Sequence, residues 1–339
     1  MMVGFIGGKF LPLHQGHVDS ILQASTRVDK LYVILSHSEK RDRDLCERCG
    51  CKYIPYQTRL SWLHQLAKNT DHIVPVAIED EYGDDDYDWE DGARKIKEKI
   101  KEPIDIIFGS DPEYKEIFSK LYPDACYTLV DHDRSIQPVS GTKVRNDPYK
   151  HWDMLPSFVR PFFVKKVVVV GTESCGKSTL VSKLAQMYNT VRVEEHGRNV
   201  CEENGGPETL TEDMYRRIAY GHKLLEYEAV QKANKLLLVD TEAVVTEYYA
   251  GLYNGYSDPL FGEMIKHEDY DLWLFLEPDV TWVDDGQRRH GSDDARLENN
   301  RKLKSMLDGY GIKYVTISGN YEERLQFAMD EVDALFKKS

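Results

Sequence analysis

Two histidines three residues apart, His14 and His17, enclose Gln15 and Gly16 directly after a short apolar run that ends in Gly7-Gly8. Imidazoles at that spacing can face one point at a helix start. There they serve as metal ligands, as an acid/base pair or as clamps on a phosphate. A metal calls for a third ligand, and none is local; a purely structural role for the pair stays open. Gly7 and Gly8 permit tight backbone approach, Gly16 leaves room for a ligand against the chain, and Lys9 adds a cation. A strand that turns into a helix in this way aims N–H groups and the positive helix end at an anion.

A second constellation is more specific. "GTESCGKST" comprises Gly171, Thr172, Glu173, Ser174, Cys175, Gly176, Lys177, Ser178 and Thr179. It follows an apolar strand-like run and precedes a helical segment, which is the context a phosphate-binding P-loop requires. Backbone amides cradle the phosphates, Lys177 reaches the β and γ oxygens, and the Ser178 hydroxyl serves Mg²⁺. Asp240 ends the run "KLLLVD", where a carboxylate either caps a strand or, with such a loop upstream, organises Mg²⁺. "VDDGQRRHGSDDAR" carries Arg288, Arg289 and Arg296. It reads as a solvated loop or as a lid closing arginines over transferring phosphates. In "VEEHGRNV", Glu195 is placed to orient or deprotonate an acceptor hydroxyl and Arg198 to hold the acceptor.

Positioning these residues takes two series of alternating strands and helices. The first has the runs "VGFI", "KLYVILS", "HIVPVAI", "IDIIFGS" and "YTLVD"; the second has "VKKVVVVG", "VRVEE", "KLLLVD", "DLWLFLEP" and "KYVTISG". Strands alternating with helices imply parallel sheets covered on both faces. The expected fold class is therefore α/β, two tandem doubly wound domains over 1–148 and 164–339. The proline- and aromatic-rich stretch 149–163 joins them. The acidic segment "IEDEYGDDDYDWEDG" is most simply a solvated loop.

Bulk properties narrow the function. A chain of 339 residues with 41% hydrophobic and 11% aromatic residues packs rather than staying disordered. A formal net charge of −14 argues against nucleic acid or an anionic membrane as a partner. No run reaches the length of a membrane span, and the N-terminus shows no basic leader; a cytoplasmic protein is expected, with self-association left open. Of six cysteines, three lie in "CERCGC" (Cys46, Cys49, Cys51). They resemble half of a zinc site without its other half, so reduced thiols are the simpler reading.

"HQGH" resembles the HxGH signature of the nucleotidylyltransferase superfamily, and "VSGTKVR" resembles its second signature, ISxTxxR. The resemblance implies a Rossmann-like domain that moves a nucleotidyl group from ATP and releases pyrophosphate. It assigns His17 to the α-phosphate, with His14, Lys9, Ser140, Thr142, Lys143 and Arg145 on the triphosphate. It also places Gly109, Ser110 and Asp111 of "GSDPEY" against adenosine and ribose, a stretch that reads equally as a helix cap. The second domain, small and arginine-bearing, looks like a nucleoside or nucleotide kinase.

The tandem resembles the NadR family of bacteria. The stretches carrying this are "GKFLPLHQGH", "SHSEKRDRD", "QTRLSWL", "SGTKVR", "GTESCGKSTL", "EEHGRN", "VDTEAVVTEYYAGLY" and "WVDDGQRRHG". It implies a ribosylnicotinamide kinase and a nicotinamide mononucleotide adenylyltransferase using ATP and Mg²⁺ and yielding NAD. Arg59 and Trp62 fall in a characteristic helix, and Trp89 is placed to stack on the pyridine ring. Some members add an N-terminal helix-turn-helix; here the first strand begins at Val3, so repressor activity is not expected. Two alternatives share the generic motifs: a coenzyme A tandem (phosphopantetheine adenylyltransferase with dephospho-coenzyme A kinase), and a nucleotide sensor with little turnover.

Overall fold

The computed structural model describes residues 1–80, 87–130, 138–280 and 293–337. The chain forms two compact units, Met1–Arg160 and Pro161–Lys338. The first runs β1 (Val3–Gly8), α1 (Gln15–Ser25), β2 (Lys30–His37), α2 (Glu39–Glu47), α3 (Tyr56–Ala67), β3 (Ile73–Glu79), α4 (Trp89–Ile100), β4 (Ile106–Gly109), α5 (Tyr114–Leu121), β5 (Cys126–Leu129) and α6 (Gly141–Asn146). Its strands are all parallel in the order β3-β2-β1-β4-β5. Val3, Phe5 and Ile6 on β1 are all buried, as a central parallel strand covered on both faces requires. Tyr32, Ile34, Ala93, Ile96, Ile100 and Ile107 continue that core beneath α4.

The second unit runs β6 (Lys165–Val170), α7 (Lys177–Met187), β7 (Arg192–Val193), α8 (His196–Asn204), α9 (Glu212–Val230), β8 (Leu236–Asp240), α10 (Ala243–Asn254), α11 (Pro259–Lys266), β9 (Leu272–Leu276), α12 (Asp293–Gly309), β10 (Val315–Ile317) and α13 (Tyr321–Lys337). Again every strand is parallel, ordered β10-β9-β6-β8-β7. Val167 to Val170 are fully buried. Leu180, Val181, Leu184 and Ala185 form the apolar face of α7, and Ala328 and Val332 of α13 join them over the sheet.

Each of the ten apolar runs overlaps a strand, and both sheets are of the expected doubly wound kind. In each, growth reverses beside the first strand: β2 and β3 lie to one side of β1 with β4 to the other, and β8 lies to one side of β6 with β9 to the other. Such a reversal opens a crevice beyond the carboxyl ends of the strands. The loops after β1 and β6 enter it. The joining stretch 149–163 holds two 3-10 turns, Trp152–Met154 and Arg160–Phe163, with Trp152, Leu155, Val159 and Phe163 buried.

Candidate active sites

In the first unit the chain leaves β1 through Lys9–Leu13 and enters α1 with His14 as N-cap, in an extended conformation (φ −136°, ψ 169°). The extended cap followed by a helical turn brings the His14 and His17 rings face to face, centroids 3.7 Å apart and 21° from parallel. His14 is buried and His17 half-buried, so His17 is the outer ring of the stack. The edge of buried Phe10 supports it at 5.1 Å. A Cβ on Gly16 would lie 3.3 Å from the His14 ring; glycine there makes room for the imidazole itself.

Two buried arginines hold this loop. Arg59, fully buried on α3, donates to the Lys9 carbonyl at 2.7 Å and to the Asp42 carboxylate. Arg145 on α6 donates to the Leu11 carbonyl, and to the Thr142 hydroxyl at 3.1 Å. Between the two held carbonyls, Phe10 sits at φ +45°, a left-handed conformation that a bulky residue adopts only under constraint. Asp42 is held in turn by Arg41 at 3.1 Å, which pairs with Asp80 at 3.3 Å. Ser140 caps α6, accepting from the Lys143 N–H at 3.3 Å, and the exposed Lys143 side chain reaches the Pro138 carbonyl at 3.4 Å. Gly7 and Gly8 at the end of β1, Lys9 in the loop, and His14, Gly16 and His17 at the cap and first turn of α1 thus belong to one strand-to-helix turn, with the 140–145 segment against it.

Gly109, Ser110 and Asp111 follow β4, the neighbour of β1. The Tyr127 hydroxyl donates to the Asp111 carbonyl at 2.6 Å, and the Asp111 carboxylate accepts from the Glu113 N–H at 3.0 Å. The turn is therefore capped by its own carboxylate. Trp89 begins α4 with Tyr87, Tyr114 and Phe118 as ring neighbours, centroids 4.8 to 5.6 Å away.

In the second unit the P-loop follows β6 with Gly171 at φ +151°; a Cβ there would meet Cys175 Sγ at 2.8 Å and the Leu276 carbonyl at 2.9 Å. Lys177 opens α7, buried, its Nζ on the Thr172 carbonyl at 2.9 Å. Burial works against its charge, and Cys175, Glu195, Asp240 and Glu173 outweigh burial, so its pKa is raised and it stays cationic. The Ser178 hydroxyl bonds to Asp240, whose pKa is raised to about 6 by burial first and then by Glu195. Asp240 Oδ1 is buried without a hydrogen-bond partner. An oxygen pair of this kind fits a hard divalent cation. Lys177, Ser178, Thr179, Glu195 and Arg198 line a cavity of about 330 Å³ together with Tyr215, Tyr249 and Tyr253.

Arg288 and Arg289 lie outside the described residues. Arg296 is buried on α12 and donates to the Val280 carbonyl at 2.9 Å. The cysteines are all free. Among the described residues no group of three His, Cys, Asp or Glu could hold a metal, "CERCGC" included, and no helix is long and apolar enough to cross a membrane.

Sequence reasoning missed three residues at this site. Arg324, almost wholly buried, donates to the carbonyls of Cys175 (2.6 Å), Gly319 (2.7 Å) and Glu277 (2.9 Å), and so ties the P-loop to β9 and α13. In "YEERLQF" it looks like one more charge on a solvated helix. Thr241, next to Asp240, sits at φ +68°, strained for a β-branched residue. His222, kept neutral because burial lowers its pKa, meets the Thr241 carbonyl through Nε2 at 3.0 Å. No spacing signal in the sequence marks either.

The cytidylyltransferase-like family model matches residues 5–160 and the AAA domain model residues 166–324. Over 336 residues the chain is 36% identical to the trifunctional NAD biosynthesis/regulator protein NadR of Escherichia coli (strain K12), spanning 95% of this chain and 80% of that relative. Among solved structures it is similar to NadR protein in complex with NR, with a TM-score of 0.81, 27% identity, and 97% and 94% of the two chains covered. It is also similar to NadR protein in complex with NAD and AMP-PNP, with a TM-score of 0.81, 25% identity, and 99% and 96% covered.

Proposed function

The chain belongs to the NadR family, and from that premise we propose that it carries out two successive steps of NAD salvage. Its second unit phosphorylates ribosylnicotinamide with ATP to nicotinamide mononucleotide and ADP. Its first unit adenylylates nicotinamide mononucleotide with ATP to NAD and pyrophosphate. The observation that carries this reading is the second unit's Lys177, Ser178 and Glu195 on a tyrosine-bearing cavity, with Asp240 bonded to Ser178, in one chain with the stacked His14–His17 pair.

In the kinase step the acceptor's hydroxyl oxygen attacks the γ-phosphorus, the bond to the β-phosphate oxygen breaks, and ADP leaves. Glu195 takes the hydroxyl proton, Arg198 holds the acceptor, and the 171–179 loop with Lys177 carries the phosphate charge. Ser178 and Asp240 would hold Mg²⁺, which neutralises phosphate charge when bound. In the adenylyl step a phosphate oxygen of the mononucleotide attacks the α-phosphorus of ATP in line. His17 holds the α-phosphate, while His14, Lys9 and Lys143 stabilise the leaving pyrophosphate; positioning and charge neutralisation supply the rate without a covalent intermediate. Arg145 acts from behind the loop through Leu11, Gly109–Asp111 receive adenosine, and Trp89 receives the pyridine ring.

Purified full-length protein given ribosylnicotinamide, ATP and Mg²⁺ is expected to form mononucleotide and ADP; given mononucleotide and ATP, NAD and pyrophosphate. Absence of the first pair of products ends the kinase assignment, and absence of the second ends the adenylyltransferase assignment.

A further inference from the structure

Glu173 has a side chain that the P-loop does not need. A phosphate cradle uses the backbone N–H at that position, and any side chain would leave it intact. Here the side chain is a carboxylate that lines the kinase cavity. Its Oε1 accepts a hydrogen bond from the Tyr253 hydroxyl. Its Oε2 is shielded from solvent and has no hydrogen-bond partner. A buried carboxylate oxygen left unpaired is costly, so a ligand group that completes it gains correspondingly. Around it stand phenol rings: Tyr249 and Tyr253 stack at 5.9 Å and 17°. Burial first, and then the nearby Glu173 charge, hold both phenols protonated. Lys177, which the Glu173 charge helps to keep cationic, spends its bond on the Thr172 carbonyl and serves the phosphates, so the second carboxylate oxygen is left for a ligand.

The ring of ribosylnicotinamide is an N-glycosylpyridinium. It carries a permanent positive charge and no N–H, so a protein recognises its charge through an anion and π-faces, not through a hydrogen bond to the ring nitrogen. We propose that Glu173, held by Tyr253 and flanked by Tyr249, forms a cation-selective subsite that distinguishes a pyridinium nucleoside from an uncharged nucleoside of the same shape. This rests on the kinase reading above and names the group that sets its substrate class.

The test is calorimetric binding to the full chain of two nucleosides with the same ribose: ribosylnicotinamide and its neutral 1,4-dihydropyridine counterpart. Wild type binds the cation more tightly, by about 10-fold or more. Glu173→Gln removes that preference, weakening the cation and leaving the neutral nucleoside near its wild-type Kd. Tyr253→Phe, which keeps the loop sequence intact, shifts the preference in the same direction by less. Equal weakening of both nucleosides assigns the carboxylate to the shared ribose or to the fold and overturns the proposal. A preference unchanged in both variants overturns it as well. Wild type that binds ribosylnicotinamide yet never phosphorylates it overturns the functional reading and leaves the charge preference to be judged by the same Kd ratio.

Discussion

The two units meet the same physical demand with opposite means. Each has a parallel sheet whose growth reverses beside its first strand, and each places a strand-to-helix loop in the resulting crevice. In the function proposed above, the second unit's recognition surface is main chain, with one lysine and one carboxylate added; the first unit's is side chain, two imidazoles stacked at a helix cap. What holds each loop is alike. Arg324 donates to P-loop and flanking carbonyls in one unit, and Arg59 and Arg145 donate to Lys9 and Leu11 in the other. A loop that presents its own groups to a ligand spends few of them on itself, and buried guanidinium groups with their several donors supply the missing bonds. The difference lies in the ligand-facing layer, and the similarity in the layer behind it.

The sharpest way to break the comparison is to remove the ligand-facing group of one unit and assay both. Lys177→Ala is expected to lower ribosylnicotinamide phosphorylation by about 10³-fold, with mononucleotide adenylylation unchanged. His17→Ala is expected to do the reverse, lowering NAD formation by about 10²-fold and sparing the kinase. If either variant drags down both activities, the two sites are not independent.

The layer behind is tested by stability. Arg324→Met leaves the carbonyls of Cys175, Gly319 and Glu277 without this donor, and Arg59→Met takes the donor from the Lys9 carbonyl and leaves Asp42 with Arg41 as its remaining guanidinium partner. Removing one member of a buried charged network costs about 3 kcal/mol, read as a lower denaturation midpoint with an unchanged slope. The expected signature is unit-specific. ATP-analogue binding should weaken in the second unit for Arg324→Met, and mononucleotide adenylylation should fall in the first for Arg59→Met. A lowered midpoint of the expected size with ligand binding intact would show that these arginines serve packing alone.

What could be read from sequence follows the same division. Both loops proposed to face a ligand are contiguous, so residue type and spacing announce them: glycines beside a strand end, Lys177 and Ser178 at a helix start, His14 and His17 one turn apart. The bracing residues are not contiguous with what they brace. Arg324 reaches Cys175 across 149 positions and Arg145 reaches Leu11 across 134, and no local pattern encodes a bond of that span. The same gap explains Arg296. Read locally it is a lid arginine, whereas α12 turns it inward to the Val280 carbonyl. Strained Thr241 has no signature either, because Asp-Thr-Glu after a strand fits ordinary caps as well.

The smallest expected effect is a pH step confined to the second unit, and it separates the two causes acting on Asp240. Its folded-state pKa is raised to about 6, by burial first and by Glu195 second. Below that value the carboxyl carries a proton and offers a divalent cation no charge, so kcat/KM for the kinase should fall by about 10-fold for each pH unit under 6. Lys177 stays charged across this range and does not add a step. For stability the sign runs the other way. A carboxyl whose folded pKa lies above its unfolded one contributes fully below the unfolded value, and that contribution is lost as pH rises through about 6. Acid therefore favours this site's fold while disabling its chemistry. Glu195→Gln removes the like charge and leaves burial, so the midpoint, followed by Mg²⁺ binding because the variant loses its proton acceptor, should move below 6 while remaining above the ordinary carboxylate range. A midpoint that stays in place assigns the whole shift to burial; one that returns to the ordinary range makes Glu195 the larger cause.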